Sequence, residues 1–238
     1  MAKFLRGSSA TLLQVRQMSA FATARQKMVD GQVRTSDVTD HRLLDAMLTV
    51  PREAFVPADR QGMAYLDLDL DVSAAGGVKR FLVKPALTAK LLQAAEIKPT
   101  DRVLVVGCAS GYAAALAAKL ASHVTATESE PAVEGNAKQL AAKLGLTNVT
   151  VKIAAAALGD PADERYNVIL LNGATEVPLD GLCQQLENGG RLVGVFAIGK
   201  PARAMIITRS HNDFGARVLF DAAAPVLPGL EQVPEFTF

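Results

Sequence analysis

A strong charge of either sign is missing from this sequence, in which 25 Lys and Arg stand against 24 Asp and Glu for a formal net charge of +1. That balance lacks the basic bias of a nucleic-acid-binding chain, so no nucleic-acid partner is expected. Long apolar runs are missing too. None approaches the ~18 residues that span a bilayer, and no membrane partner is expected either. Cysteine is scarce: Cys108 and Cys183 form no CxxC pair. They indicate neither a zinc site nor a disulfide framework, so no metal is expected and a reducing, cytoplasmic compartment is the default. Aromatic residues make up 5% of the chain and tryptophan is absent. What is abundant is small and apolar. Half of the 238 residues are hydrophobic, many of them alanine, which is enough for a substantial core and suits close packing of helices on a sheet.

Acids are also missing from the N-terminus. Lys3, Arg6, Arg16, Arg25 and Lys27 precede the first acid, Asp30, among several serines. This composition is similar to that of an organellar transit peptide. The simpler reading, preferred here, takes residues 1–17 as a disordered or start-site extension and Met18 as the true beginning. Residues 18–238 then form a single domain with an N-terminal helical segment.

The periodicity is informative from Ala20 onward. Residues 20–57 read as helices. Asp40 can cap a segment whose Leu43, Leu44, Met47 and Leu48 share one helical face and which ends before Pro51. Alternating Leu and Asp from Tyr65 to Val72 predicts a short half-buried strand. A helix follows Pro85. Val103-Leu104-Val105-Val106 is a continuous apolar run, expected of a strand buried on both faces. From there strands (123–127, 149–153, 166–171, 191–198) alternate with helices (to about 121, 131–144, 179–186), and two more strands (204–209, 216–220) follow. The expected fold is α/β, a Rossmann-like, doubly wound, mostly parallel sheet with any ligand outside the carboxyl ends of its central strands. Pro225, Pro228 and Pro234 make the C-terminal segment extended, with Phe236 and Phe238 packing on the domain or on a partner.

The strand at 103–106 enters the small-residue turn Gly107-Cys108-Ala109-Ser110-Gly111 and a helix opens at Tyr112. Small residues let the backbone approach a ligand, and a helix N-terminus favours its anionic part. Glu128 follows roughly 20 residues past the first glycine, at the end of the next strand, where a carboxylate can accept the ribose hydroxyls of an adenosine cofactor. The expected cofactor contacts are therefore Gly107, Cys108, Ala109, Ser110, Gly111, Tyr112, Glu128 and Ser129. Asn172-Gly173 closes the strand at 166–171 on the same edge and is read either as a ligand contact or as an Asn-Gly turn. His41, His123 and His211 are scattered and read as structural or surface residues.

Several segments resemble the protein-L-isoaspartate O-methyltransferases in order and spacing. They are Met28-Val29-Asp30-Gly31-Gln32-Val33-Arg34, then Val50-Pro51-Arg52-Glu53-Ala54-Phe55-Val56-Pro57, then Leu144-Gly145-Leu146-Thr147-Asn148-Val149, then Gly189-Gly190-Arg191-Leu192-Val193. The resemblance implies a fold of the class I S-adenosylmethionine-dependent methyltransferase type, S-adenosylmethionine as cofactor, and proteins or peptides bearing isoaspartyl residues as substrate. Such a reaction repairs damaged protein by methylating the abnormal α-carboxylate.

The chain departs from the family at four places. Where the family has Gly-Gln-Thr-Ile-Ser, this chain has Gly76-Gly77-Val78-Lys79-Arg80, so the hydroxyl positions are Val78 and Arg80. Val105 stands in place of an acid, Ala109 in place of the middle glycine of the turn, and Ala154-Ala155-Ala156 in place of Gly-Asp-Gly. Arg80 is the one candidate catalytic residue, a carboxylate grip in place of the lost hydroxyls, set against half of a solvated Lys79-Arg80 pair. Three functions stay open: isoaspartyl methyl transfer, a catalytically inactive family member serving as a binding or assembly module, and methyl transfer to a different acceptor. The sequence sets no oligomeric state.

Overall fold

Apolar β-branched runs too short for helices generate the centre of the molecule. A computed structural model describes residues 9–160, 162 and 165–233, with the backbone alone for 9–16. In chain order the helices are α1 (Ser9–Met28), α2 (His41–Thr49), α3 (Pro85–Ala94), α4 (Tyr112–Ala118), α5 (Pro131–Lys143) and α6 (Asp180–Gln184). The strands are β1 (Leu70–Asp71), β2 (Phe81–Leu82), β3 (Arg102–Val106), β4 (His123–Glu128), β5 (Val149–Ile153), β6 (Tyr166–Thr175), β7 (Leu186–Phe196), β8 (Arg203–Ser210) and β9 (Asp213–Asp221). α1 continues through position 18. Residues 1–8, and Phe236 and Phe238 with the rest of 234–238, lie outside the described residues. None of the described helices is long and apolar enough to cross a membrane.

Seven strands form one sheet in the order β5-β4-β3-β6-β7-β8-β9. The first five in that order are parallel, and β8 and β9 are antiparallel to their neighbours. Alternate side chains face opposite ways. Val103, Val105, Val168, Leu170 and Val193 pack with α2, α3 and α4, while Leu104, Val106, Ile169, Leu171 and Leu192 pack with α6 and with Leu227 and Leu230 of the C-terminal segment. The order reverses at β3, flanked by β4 and β6, and this switch point is where an α/β sheet opens a crevice for ligand.

The alternating Leu-Asp stretch behaves differently from expectation. Only Leu70–Asp71 pairs, antiparallel with Phe81–Leu82. Asp69 and Asp67 turn away to cap α3 instead, their Oδ1 atoms accepting from Lys84 N at 2.8 Å and Ala86 N at 3.2 Å. Free N–H groups at a helix start compete for carboxylates that a solvent-facing strand would leave in water. The cap at Asp40 is as expected, with Oδ1 accepting from Arg42 N at 2.9 Å.

Candidate functional site

β3, buried from Val103 to Val106, delivers the chain to the switch point at Gly107, whose φ is +67°. The turn is tight: Cys108 N donates to Thr127 O at 2.9 Å and Gly111 N to Cys108 O at 2.8 Å. Ala109 takes φ +49°, a left-handed conformation unusual for a residue with a side chain. Gly111, at φ +94°, leads into α4. Tyr112 is buried beneath the guanidinium of Arg52, 4.8 Å from the ring centroid.

At the end of β4 the side chain of Glu128 is fully buried, and both its oxygens are engaged within the protein. Oε1 accepts from Arg80 Nε at 2.6 Å, Ser129 N at 2.8 Å and Glu130 N at 3.1 Å. Oε2 accepts from Ala109 N at 3.0 Å. Each carboxylate oxygen offers about two acceptor positions, so Oε1, with three donors, is fully taken, while Oε2, with one, keeps a position.

Arg80 is therefore not half of a solvated pair. It is 3% exposed, and its remaining nitrogens donate to Ser129 Oγ at 2.6 Å and Lys79 O at 3.0 Å. Ser73 Oγ accepts from Arg80 N at 2.9 Å, and Arg80 O accepts from Val72 N at 2.9 Å. The β1–β2 hairpin thus drives a guanidinium into the switch point. Lys79 alone remains outside, paired with Asp71 at 2.5 Å.

Asn172-Gly173 makes no turn, because β6 runs on to Thr175. Asn172 Nδ2 donates to Gly107 O at 3.0 Å and ties the two strand ends together. Above them lies the C-terminal segment. Ala174 N donates to Pro225 O at 2.8 Å, Leu227 N to Ala174 O at 2.9 Å, and Glu176 N to Leu230 O at 2.8 Å. The side chain of Leu227 drops between the two glycines. A Cβ at Gly107 would lie 2.6 Å from Leu227 Cδ2, and one at Gly173 2.9 Å from the same atom. Leu227 had no local signal in the sequence. Glycine at both 107 and 173, each within reach of its side chain, is the trace it leaves.

The cleft bounded by Arg80, Gly107, Ala109, Asn172, Pro225 and Leu227 has a volume of about 10 Å³. Small-molecule sites span roughly 300–1,000 Å³. A volume of ~10–15 Å³ holds a single water. Of the expected cofactor residues, Gly107 and Ala109 line this cleft and Glu128 bonds to Ala109, whereas Ser110 lines a separate cavity of about 390 Å³ beside Phe55 and Ser73, and Tyr112 lies under Arg52. Arg80 and Leu227 fill the cleft itself. Cys108, in the turn, is 1% exposed, and burial together with the nearby Glu128 carboxylate pushes its thiol far above the usual range; it is no nucleophile. No cluster of three or more metal-binding side chains occurs among the described residues.

Known proteins resemble this chain over most of its length. A sequence model of the family "Protein-L-isoaspartate(D-aspartate) O-methyltransferase" matches residues 23–219. A Roseiflexus protein-L-isoaspartate O-methyltransferase is 36% identical over 193 residues, 81% of this chain and 86% of its own. One from Methylorubrum extorquens is 38% identical over 194 residues, 81% of this chain and 82% of its own. Among solved structures, a protein-L-isoaspartate O-methyltransferase superposes with a TM-score of 0.77 at 21% identity, covering 87% of this chain and 67% of its own. A Plasmodium falciparum protein, solved in complex with S-adenosyl-L-homocysteine, superposes with a TM-score of 0.72 at 18% identity, covering 87% and 97%. The structural likenesses place the fold in the class I S-adenosylmethionine-dependent methyltransferases. The match in sequence, running from α1 to β9, goes further: this chain belongs to the protein-L-isoaspartate(D-aspartate) O-methyltransferase family.

Proposed function

We propose that this chain carries out its family's reaction, the transfer of a methyl group from S-adenosylmethionine to the carboxylate of isoaspartyl residues in proteins. The observation that carries this reading is the extent of the family match, residues 23–219. It takes in the N-terminal helices and the β1–β2 hairpin as well as the nucleotide-binding half common to many methyltransferases. The acceptor needs no general base, since a carboxyl of pKa ~3.3–3.9 is already ionised at pH 7. What the protein must supply is position and exclusion of water. We assign the cofactor side to the turn Gly107–Tyr112 with Glu128 and Ser129.

In the conformation described, these residues do not fit the cofactor. Glu128 Oε1 is fully taken and only one position remains on Oε2, and the cleft of about 10 Å³ has no room for an adenosine group. The reading therefore requires the cleft to open. Its test is methyl transfer to a peptide carrying one isoaspartate, beside the same peptide with normal aspartate and a panel of small carboxylic acids. Transfer to the isoaspartyl peptide alone is expected. Transfer only to a small acid would reassign the acceptor. No transfer to any acceptor at millimolar cofactor, from this chain or from a variant with an opened cleft, would leave a family member without its reaction.

A further inference from the structure

Two independent pieces of the chain meet over the glycine turn, and each takes something a nucleotide cofactor would need. Arg80, from the β1–β2 hairpin, holds Glu128 through Nε at 2.6 Å and Ser129 through Nη2 at 2.6 Å. Leu227, from the segment after β9, fills the space above Gly107 and Gly173. We propose that the chain holds its own cofactor cleft shut, with Arg80 as a pin on the ribose-binding carboxylate and the strap Ala222–Leu230 as a plug over the turn. The methyl donor then enters only when the strap lifts. This deepens the methyltransferase reading and rests on it.

The two closures differ in how readily they release. The strap is joined to the domain by one isolated parallel bridge, Ala174 with Val226, by backbone hydrogen bonds at Ala174, Leu227, Glu176 and Ala222, by Gln232 N donating to Glu176 just after it, and by the buried side chains of Leu227 and Leu230. It carries no side-chain ion pair to the cleft, and its own Ala222 and Ala224 are small. Arg80 is held more firmly, through both its main chain and its guanidinium. Its removal leaves Glu128 with three backbone donors, Ala109 N, Ser129 N and Glu130 N, so the carboxylate is not stranded in the interior. Opening therefore begins at the strap, and withdrawal of the Arg80 guanidinium from Glu128 and Ser129 is the second step.

Glycine at both 107 and 173 is consistent with a place shaped for the plug, since a side chain at either would strike Leu227. A merely structural strap would serve only to cover the second face of the sheet, where Leu227 and Leu230 belong to the apolar cluster around Leu104 and Ile169. The two roles predict opposite effects on ligand affinity.

S-Adenosylhomocysteine is titrated calorimetrically into the full chain and into Leu227→Ala and Arg80→Ala, with amide hydrogen exchange followed at Ala174, Glu176 and Leu227. A plug predicts at least tenfold tighter binding to Leu227→Ala than to the natural chain, with a further gain from Arg80→Ala. It also predicts that saturating ligand speeds exchange at those three amides in the natural chain by tenfold or more. Binding that is equally tight in all three proteins, with exchange at the strap unchanged, overturns the latch and leaves the methyltransferase reading standing. No binding to any of the three, each shown folded by circular dichroism, overturns both.

Discussion

Single buried charges in this molecule are settled by their immediate partners, and two of them show how. Arg52 has no exposed surface, donates to Ala64 O at 2.7 Å and Val83 O at 2.8 Å, and lies over Tyr112. It is a bracket between the N-terminal helices and the turn, built from a guanidinium's planar fork. Asp160 is 1% exposed and accepts from Lys152 Nζ at 2.9 Å and from the hydroxyl of Tyr166. Burial alone would raise its carboxyl, but the hydrogen bonds from Lys152 and Tyr166 outweigh burial and hold it below the usual carboxylate range. A depressed carboxylate contributes stability that is present above its unfolded pKa of about 3.9 and is lost as pH falls through the folded value. Asp160→Asn should therefore cost about 1–3 kcal/mol at pH 7. Urea unfolding of the natural chain and the variant should converge as the pH is lowered from about 5 through the carboxylate range. A gap that stays constant with pH would show that Asp160 acts through shape alone.

Among the elements, β6 and β7 are pressed together more tightly than their sequences suggest. A Cβ at Gly194 of β7 would come within 2.6 Å of Leu171 Cβ in β6, whereas one at Gly215 of β9 would meet nothing within 4 Å. Gly194→Ala should destabilise the domain by about 1–3 kcal/mol through overpacking. Gly215→Ala should stay within about 0.5 kcal/mol. Thermal melts of the pair would measure this, and equal melting temperatures would sink the argument. The same elements show what a sequence discloses. Val103–Val106, the turn after it and Glu128 were readable because local patterns dictate them: an apolar run, small residues in a turn, an acid at the next strand end. The alternation at 65–72 misled because α3's free N–H groups, distant in sequence, claimed Asp67 and Asp69. Of the two readings of Asn172-Gly173, the turn is absent because Pro225–Leu227 docks beside it and prolongs β6, which nothing local announces. Of the two readings of Arg80, a carboxylate grip or half of a solvated pair, the solvated one fails for the same reason. The partner of Arg80 lies 48 residues away, and a long-range ion pair has no period.

Across the whole molecule the two faces of the sheet are covered unequally, and this asymmetry governs how the protein meets its surroundings. One face lies under the N-terminal helices with α3 and α4. The other has α6, five residues long, and the C-terminal strap. Where the strap closes the switch point, the cleft shrinks to about 10 Å³. Beyond its reach, where β7, β8 and β9 extend past α6, a cavity of about 570 Å³ opens between Leu179, Phe196, Met205, Phe214 and Val218. Ile198 and Val218 at its rim are 54% and 43% exposed. A contiguous apolar surface of this kind binds hydrophobic dyes even in a folded protein. The dilute native chain should therefore enhance 8-anilinonaphthalene-1-sulfonate fluorescence, and the double variant Ile198→Lys, Val218→Lys should lose most of that signal. Both positions face solvent, so urea unfolding should change by no more than about 0.5 kcal/mol per substitution. Dye binding that survives the double variant would place the apolar surface elsewhere, at the switch point itself, and would mean that the strap is already lifted in solution.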